Sequence, residues 1–338
     1  MALRAIVAGI GSRGRDWVRE IRASESYQLV GCVDTEPQAL QEAFQHKTDF
    51  QPPCFTSLDA ALQESGCDVV IVATPADCHF ETCRLALSKG KAVLVEKPFT
   101  LQLSEAVGLV TLARQQGVPL LVAQNYRYLR SFRTARLLIR EGRLGRVGLV
   151  IFQYYRVPHQ MAQSLSRLTH SVLWGVGVHH LDSLRYVLGS KVTNVLAESF
   201  TLPWGELPRG ASLQVMLSLD DGARAVYSAT YESSGHEFFE RGQEFYARFV
   251  GERATLHIFQ RWLLLCEKGR LPRLIRRGAR KITEEQVLLG QLERAVKGIE
   301  VPDSSGEDNL ETVAIVEACV NSANEKRWVN PQELLNGK

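Results

Sequence analysis

Within this 338-residue chain, the first residues whose types and spacing suggest chemistry are Gly9-Ile10-Gly11-Ser12-Arg13-Gly14, a GxGxxG pattern, with Asp34 twenty positions after its last glycine. Glycines let a backbone approach a pyrophosphate, and a helix that starts there offers unpaired N–H groups to its oxygens. An acid at that spacing accepts hydrogen bonds from an adenosine ribose. The ligand would be a dinucleotide, held by Gly9, Gly11, Ser12, Arg13, Gly14 and Asp34. The Asp34 carboxylate repels a 2′-phosphate, and Thr35-Glu36-Pro37 adds no cation, so NAD is favoured over NADP. Arg13 is the counterweight, a cation inside the turn. Farther along, His179 carries an imidazole, which can exchange a proton near neutral pH. A histidine in a helix can equally be a core residue.

These groups need a frame, and the surrounding pattern supplies one. Leu3–Ala8 reads as a strand that runs straight into Gly9; it is too short for a signal-peptide core, which points to a cytoplasmic protein. Helical periodicity follows over Asp16–Ala23 (Trp17, Val18, Ile21), then a strand over Tyr27–Val33 that ends at Asp34. Asp68–Ala73 has the unbroken apolar character of a buried parallel strand, stopped by Thr74-Pro75 at the end where ligands lie in such sheets. A helix near Phe80–Ser88, a strand Lys91–Val95, a helix Ser104–Gln115 and a strand Pro119–Ala123 complete the alternation. This predicts an α/β fold with a doubly wound parallel sheet over residues 1–125. In the remainder, 126–338, Val147–Tyr155, Val192–Glu198, Ser212–Leu219, Ala223–Tyr231, Tyr246–Gly251 and Ala254–Ile258 read as strands, and Asp220-Asp221-Gly222 is a hairpin signal.

Composition narrows the function classes. A formal charge of +3 is too small for general attraction to nucleic acid or a membrane surface. No apolar run is long enough to span a bilayer. Seven cysteines without a CxxC pair suggest neither a zinc ribbon nor a disulfide framework, and no metal site is expected. Lys268, Arg270, Arg273, Arg276, Arg277, Arg280 and Lys281 form a run of seven cations without an acid; it reads as a solvated loop around Pro272 and Gly278, or as a contact for an anion or a second subunit. No aromatic residues interleave, so it is not a nucleic-acid stacking platform.

The sequence resembles the Gfo/Idh/MocA family of nicotinamide-dependent oxidoreductases. The resemblance rests on the glycine turn, Ala73-Thr74-Pro75 with His79, Gly90-Lys91 leading to Glu96-Lys97-Pro98, and Asn125-Tyr126-Arg127. It continues through Gly142 and Gly145, Gly177-Val178-His179-His180-Leu181-Asp182, and Gly306-Glu307-Asp308. It implies a Rossmann domain followed by an α/β domain with an open, mostly antiparallel sheet. It also implies a homo-oligomer, dimer or tetramer, joined through the exposed sheet face; the C-terminal helix could pack back on the first domain. Lys97, ordinarily a solvated type at a strand end, is by resemblance the catalytic cation that polarises the substrate oxygen, with Pro98 following a cis peptide. His179 is the second catalytic group. Thr74, Pro75, His79, Glu96 and Asn125 are expected at the cofactor. Arg127, Tyr154, His180 and Asp182 join Lys97 and His179 as substrate contacts, although a salt bridge for Arg127 and a helix-surface position for Asp182 are open alternatives.

The chain departs from the family pattern at Gly175, where an aspartate commonly stands four residues before the histidine, and at Ala76, where asparagine is common. The missing carboxylate removes a proton acceptor; Tyr154, His170, His180 and Glu232 are candidate substitutes. The leading expectation is NAD-dependent hydride transfer at a secondary alcohol or ketone of a sugar, sugar derivative or cyclitol. One alternative is a redox-neutral, NAD-dependent glycoside-cleaving enzyme using transient oxidation and elimination. The other is a non-catalytic dinucleotide-binding regulator.

Overall fold

A computed structural model describes residues 1–44, 52–156, 168–205, 207, 210–233, 245–259, 262–276 and 282–337. The chain divides into two compact units, Met1–Asn125 with Lys281–Val313, and Tyr126–Arg280 with Ala314–Lys338.

The first unit is built on strands β1 (Leu3–Ala8), β2 (Tyr27–Val33), β3 (Cys54–Phe55), β4 (Val69–Val72), β5 (Ala92–Val95) and β6 (Leu120–Val122). All pair in parallel, in the order β3-β2-β1-β4-β5-β6. Helices α1 (Ser12–Arg22), α2 (Pro37–Phe44), α3 (Leu58–Ser65), α4 (His79–Ser88) and α5 (Leu103–Gln116) make the crossovers. Every residue of β4 (VVIV) and β5 (AVLV) is buried, as a parallel strand covered on both faces requires. Strand order reverses on either side of β1, so the ends of β1 and β4 flank the crevice where such sheets bind ligands.

The second unit begins with α6 (Arg130–Arg140) and β7 (Val147–Tyr155), followed by α7 (Val178–Leu188). Its remaining strands are β8 (Val192–Phe200), β9 (Ser212–Leu219), β10 (Arg224–Thr230), β11 (Phe245–Gly251), β12 (Ala254–Ile258), β13 (Trp262–Glu267) and β14 (Arg273–Arg276). They form an eight-stranded sheet ordered β14-β13-β12-β11-β7-β10-β9-β8. Only the β7–β10 pair is parallel; the sheet is mixed and mostly antiparallel. Residues alternate between buried and more exposed along β9 and β10, so one face packs on the core and the other is open. Gly222, with φ +90°, makes the expected hairpin between these two strands.

Part of the basic run is strand rather than loop. Arg273–Arg276 pairs with β13 as the sheet's outer edge, and charge on an edge strand discourages pairing with another chain. Residues 277–281 of the run lie outside the described residues.

Three later helices complete the chain: α8 (Glu284–Val296), α9 (Gly306–Glu325) and α10 (Pro331–Asn336). The first unit holds α8 through a hydrogen bond from the Tyr27 hydroxyl to the Leu289 carbonyl (2.7 Å). Just before α9, the Ser304 carbonyl accepts the Val122 N–H (2.9 Å) at the edge strand β6. In the second unit, Ser322 near the end of α9 accepts the Ala197 N–H of β8 (2.9 Å). Among the described residues, no helix is long and apolar enough to cross a membrane.

Candidate active site

The glycine turn is demanded by the protein at two positions and left open at the third. Gly9 has φ +89°, and a β-carbon there would lie 2.6 Å from the backbone of Ala73 and Thr74. One at Gly14 would lie 1.8 Å from the Gly9 carbonyl oxygen. At Gly11, the N-cap of α1, nothing comes within 4 Å, and no side chain caps the helix. The first-turn N–H groups of a helix have no intrahelical acceptors, so an uncapped helix beside an open glycine fits a phosphate. Asp34 fixes the turn from the end of β2: Oδ2 accepts the Ile10 N–H (2.8 Å) and Oδ1 accepts that of Glu36 (3.1 Å). Each carboxylate oxygen keeps acceptor capacity for a ribose hydroxyl.

Three buried polar atoms near the ends of β4 and β6 support the fit of a dinucleotide. Thr74 Oγ1, Gln124 Oε1 and Asn125 Oδ1 have no hydrogen-bond partner among the described residues. Buried polar atoms are rarely left unsatisfied in a folded chain, and a bound ligand with hydroxyl and amide groups would complete them.

Arg13 does not reach outward. Its guanidinium contacts Glu96 Oε1 (2.8 Å), Asp16 Oδ2 (3.1 Å) and Glu285 Oε1 (3.1 Å). Glu96, expected at the cofactor, spends Oε1 on Arg13 and on the Trp17 indole N–H (2.8 Å). His79 is likewise consumed by the backbone: its ring nitrogens lie 2.7 Å from the Pro98 carbonyl and 2.9 Å from that of Thr74. Burial holds the His79 pKa below its ordinary value, against the opposing pull of these carbonyls. His79 therefore braces the segment after β4 against the segment after β5 that carries Lys97. The Lys97–Pro98 peptide is cis. Burial pushes the Lys97 amine down to about 8; Glu96 opposes the shift and the Arg13 cation adds to it. Such an amine changes protonation near physiological pH, where proton transfer is most efficient.

Glu285 was missed in the sequence. It joins Arg13 to Asn125, whose Nδ2 donates to the same Oε1 (3.3 Å). A local signal existed: Thr283-Glu284-Glu285-Gln286 is a capping box, with the Thr283 hydroxyl accepting the Gln286 N–H (3.0 Å) and the Gln286 side chain accepting that of Thr283 (3.1 Å). That pattern marks where α8 begins, but it does not reveal what the acid beside it meets.

In the second unit, α7 carries His179, His180 and Asp182 directly after a buried π-helical turn, Leu173–Gly177, that includes Gly175. The His179 ring stacks flat on Tyr126, with centroids 4.2 Å apart and planes 7° apart. His180 is turned into the core, contrary to the expectation of a substrate contact. It is fully buried, its Nδ1 lies 2.9 Å from the Tyr227 hydroxyl, and Phe152 and Tyr154 pack on its ring. Successive helical residues diverge by about 100°, so the two histidines cannot share a direction. Arg127 and Asp182 pair with each other: Nε and Nη2 donate to the two carboxylate oxygens at 2.6 and 2.5 Å, and both residues are 1% exposed. They tie the segment before α6 to α7 instead of presenting their charges outward.

The candidates for the lost carboxylate also have structural engagements. Tyr154 is buried, which raises its pKa, and it bonds to Arg156. His170 sits at φ 59° and bonds to Asn324, with burial lowering its pKa. Glu232 Oε2 accepts the Leu202 N–H (2.9 Å) and the Ser212 hydroxyl (3.3 Å), while Oε1 is buried without a partner among the described residues.

Comparison with known proteins settles the lineage. Residues 3–124 match the family model described as an oxidoreductase family with an NAD-binding Rossmann fold, and residues 132–257 match the Gfo/Idh/MocA C-terminal domain. The chain belongs to the Gfo/Idh/MocA oxidoreductase family. It is an enzyme of the dehydrogenase and reductase type, and its cofactor is NAD. Among its Gfo/Idh/MocA relatives is D-apiose dehydrogenase of Paraburkholderia graminis, 24% identical over 98% of this chain and 90% of that protein. Another is myo-inositol dehydrogenase Hyg17 of Streptomyces leeuwenhoekii, 28% identical over 74% of each chain. The fold also matches an inositol dehydrogenase homologue from Azotobacter vinelandii, solved with NADH and myo-inositol. That match has a TM-score of 0.84 and 20% identity over 98% of both chains.

Proposed function

We propose that this enzyme transfers hydride between NAD and a secondary alcohol or ketone of a sugar, sugar derivative or cyclitol. The observation that carries the reading is Lys97. It is a partly buried amine directly after β5, in the NAD-binding unit, with a pKa brought down to about 8. NAD, when bound, supplies the hydride acceptor or donor. Lys97 as a cation stabilises negative charge on the reacting oxygen. His179, held in one ring plane by Tyr126, takes or returns the hydroxyl proton. Arg13, Trp17 and His79 hold the Glu96-Lys97-Pro98 segment in place. The engagement of Arg13 by three carboxylates, together with Asp34, favours NAD over NADP.

The relatives named above act on apiose and inositol, which supports a polyhydroxylated substrate. The deciding experiment incubates purified protein with NAD⁺ and a panel of sugars and cyclitols and follows absorbance at 340 nm. NADH should form with at least one of them and should not form in Lys97→Met. NADH production that survives Lys97→Met would sink the assignment.

Gly175 favours one second reading, redox-neutral cleavage of a glycoside, because the carboxylate common at that position is missing. Turnover of a glycoside that requires NAD⁺ yet accumulates no NADH distinguishes it. We further propose a cytoplasmic homo-oligomer joined through the open face of the eight-stranded sheet. There Leu149, Met216, Val226 and Leu274 present exposed apolar side chains. Sedimentation velocity tests this: Val226→Glu with Met216→Glu should yield monomers.

A further inference from the structure

Glu285 belongs to α8, yet it meets two of the loops that form the cofactor site. Its Oε1 accepts from Arg13 Nη2 (3.1 Å) in the glycine turn after β1, and from Asn125 Nδ2 (3.3 Å) after β6. The start of α8 is itself fixed. The Thr283 capping box closes its first turn, and the Thr283 hydroxyl donates to Glu20 Oε2 of α1 (3.2 Å). The Glu285 side chain is only 14% exposed.

The contact with Asn125 sets the direction of an amide. An ionised carboxylate only accepts hydrogen bonds, so it takes the NH₂ end of the amide and turns the oxygen away. That oxygen, Asn125 Oδ1, is buried without a partner among the described residues. With an apolar residue in place of Glu285, nothing from α8 would distinguish the two ends of the amide. Strand order then says which part of a dinucleotide the oxygen would meet. Asp34 ends β2, on one side of β1, and Asn125 follows β6, on the other. A dinucleotide with its adenosine ribose at Asp34 and its pyrophosphate at the glycine turn has its nicotinamide half on the side of β4, β5 and β6. The ribose hydroxyls and carboxamide NH₂ of that half are donors suited to an amide oxygen. We propose that Glu285 is a positioning residue for the nicotinamide half of NAD, acting through Asn125, whose Oδ1 it presents as an acceptor. This rests on the assignment of Asn125 to the cofactor site and not on the identity of the substrate.

The test is titration calorimetry of the full chain with NAD⁺ and, separately, with ADP, which lacks the nicotinamide half. No substrate is present, so a failure of the sugar or cyclitol reading leaves the result untouched. Glu285→Met should weaken NAD⁺ binding about tenfold, the scale of one lost hydrogen bond to a buried group, and leave ADP binding within about twofold of wild type. Glu285→Gln keeps an acceptor at that place and should restore most of the NAD⁺ affinity. In an Asn125→Leu background, Glu285→Met should cost nothing further, as expected of residues that act as a unit. Should Glu285→Met fail to fold, Glu285→Ala decides by the same criteria. Unchanged NAD⁺ affinity would overturn the proposal. So would equal losses for NAD⁺ and ADP, which would make Glu285 a brace of the glycine turn alone. A loss in Glu285→Gln as large as that in Glu285→Met would trace the effect to the charge on Arg13, and additive losses with Asn125→Leu would separate the two residues; either result also overturns it.

Discussion

The two units use their sheets in opposite ways. In the first, β4 and β5 are buried at every residue and the side chains only fill space, so the chemistry falls to the backbone: a glycine turn, an uncapped helix and strand ends. In the second, β9 and β10 bury alternate residues, and the polar groups of the candidate site sit on a helix, α7. Their partners come from distant parts of the chain: Tyr126 for His179, Arg127 for Asp182, Tyr227 for His180. A backbone site needs particular residues at fixed spacing, whereas a side-chain site needs only that distant segments converge. The first kind is written as a motif and the second is not.

The largest expected effect falls on Lys97, which sits beside the backbone site but acts through its side chain. Lys97→Met should lower hydride transfer by about 10³-fold or more, the scale of losing a proton-transfer or charge-stabilising group. NAD affinity should change little, because the turn and Asp34 are untouched. Stopped-flow measurement of NADH formation beside calorimetric NAD binding separates the two. A loss of NAD binding equal to the loss of rate would erase the distinction between the two kinds of site.

Next in size is the buried ion pair of the second unit. Arg127→Met removes the two guanidinium donors from the buried Asp182 carboxylate, and breaking a buried ion pair by removing one side costs about 3–5 kcal/mol. Urea unfolding should show that loss, and the double variant Arg127→Met, Asp182→Leu should recover most of it, since an apolar pair can replace a buried ionic one. If Arg127→Met left stability unchanged but abolished substrate binding, the pair would be a ligand contact after all.

What could be read from the sequence divides along the same line. The Rossmann strands other than the two-residue β3 were legible because unbroken apolar runs are local signals, and glycines and prolines marked the strand ends where Asp34 and the Glu96-Lys97-Pro98 segment lie. Strands β13 and β14 were not legible; β14 is four residues long and half arginine, the composition of a solvated loop. Nor could sequence separate His179 from His180, since only the rings that each one meets decide which is core. His79 and Glu96 were recognisable as family-like residues, but their use as internal braces depends on carbonyls and donors supplied by other loops.

A smaller effect tests Asp34, where backbone and side-chain roles meet. Asp34→Ser removes the charge that repels a 2′-phosphate and should shift the ratio of NADP to NAD affinity by about tenfold, or about 1.4 kcal/mol. It also removes the acceptors of the Ile10 and Glu36 N–H groups, so NAD affinity itself should fall. Titration with both cofactors checks this, and an unchanged ratio would mean that selectivity lies elsewhere.

The remaining effects are pH-dependent and again centre on Lys97. With its amine lowered to about 8, ketone reduction, which uses the cation, should lose rate as pH rises through about 8, and Lys97→Arg should move that limb upward. The stability effect has a definite sign. Between about 8 and the ordinary lysine value near 10.5, the unfolded chain binds the extra proton, so folding stability should rise with pH across that window. The same burial penalty is absent in Lys97→Met, which at pH 7 should be more stable than wild type by about 1–3 kcal/mol. Thermal melts of both proteins at pH 7 and pH 10 should therefore converge at the higher value. A gap that stays constant with pH would show that the Lys97 amine is not held down by burial, and the two units would then differ less in how they bear the cost of their chemistry.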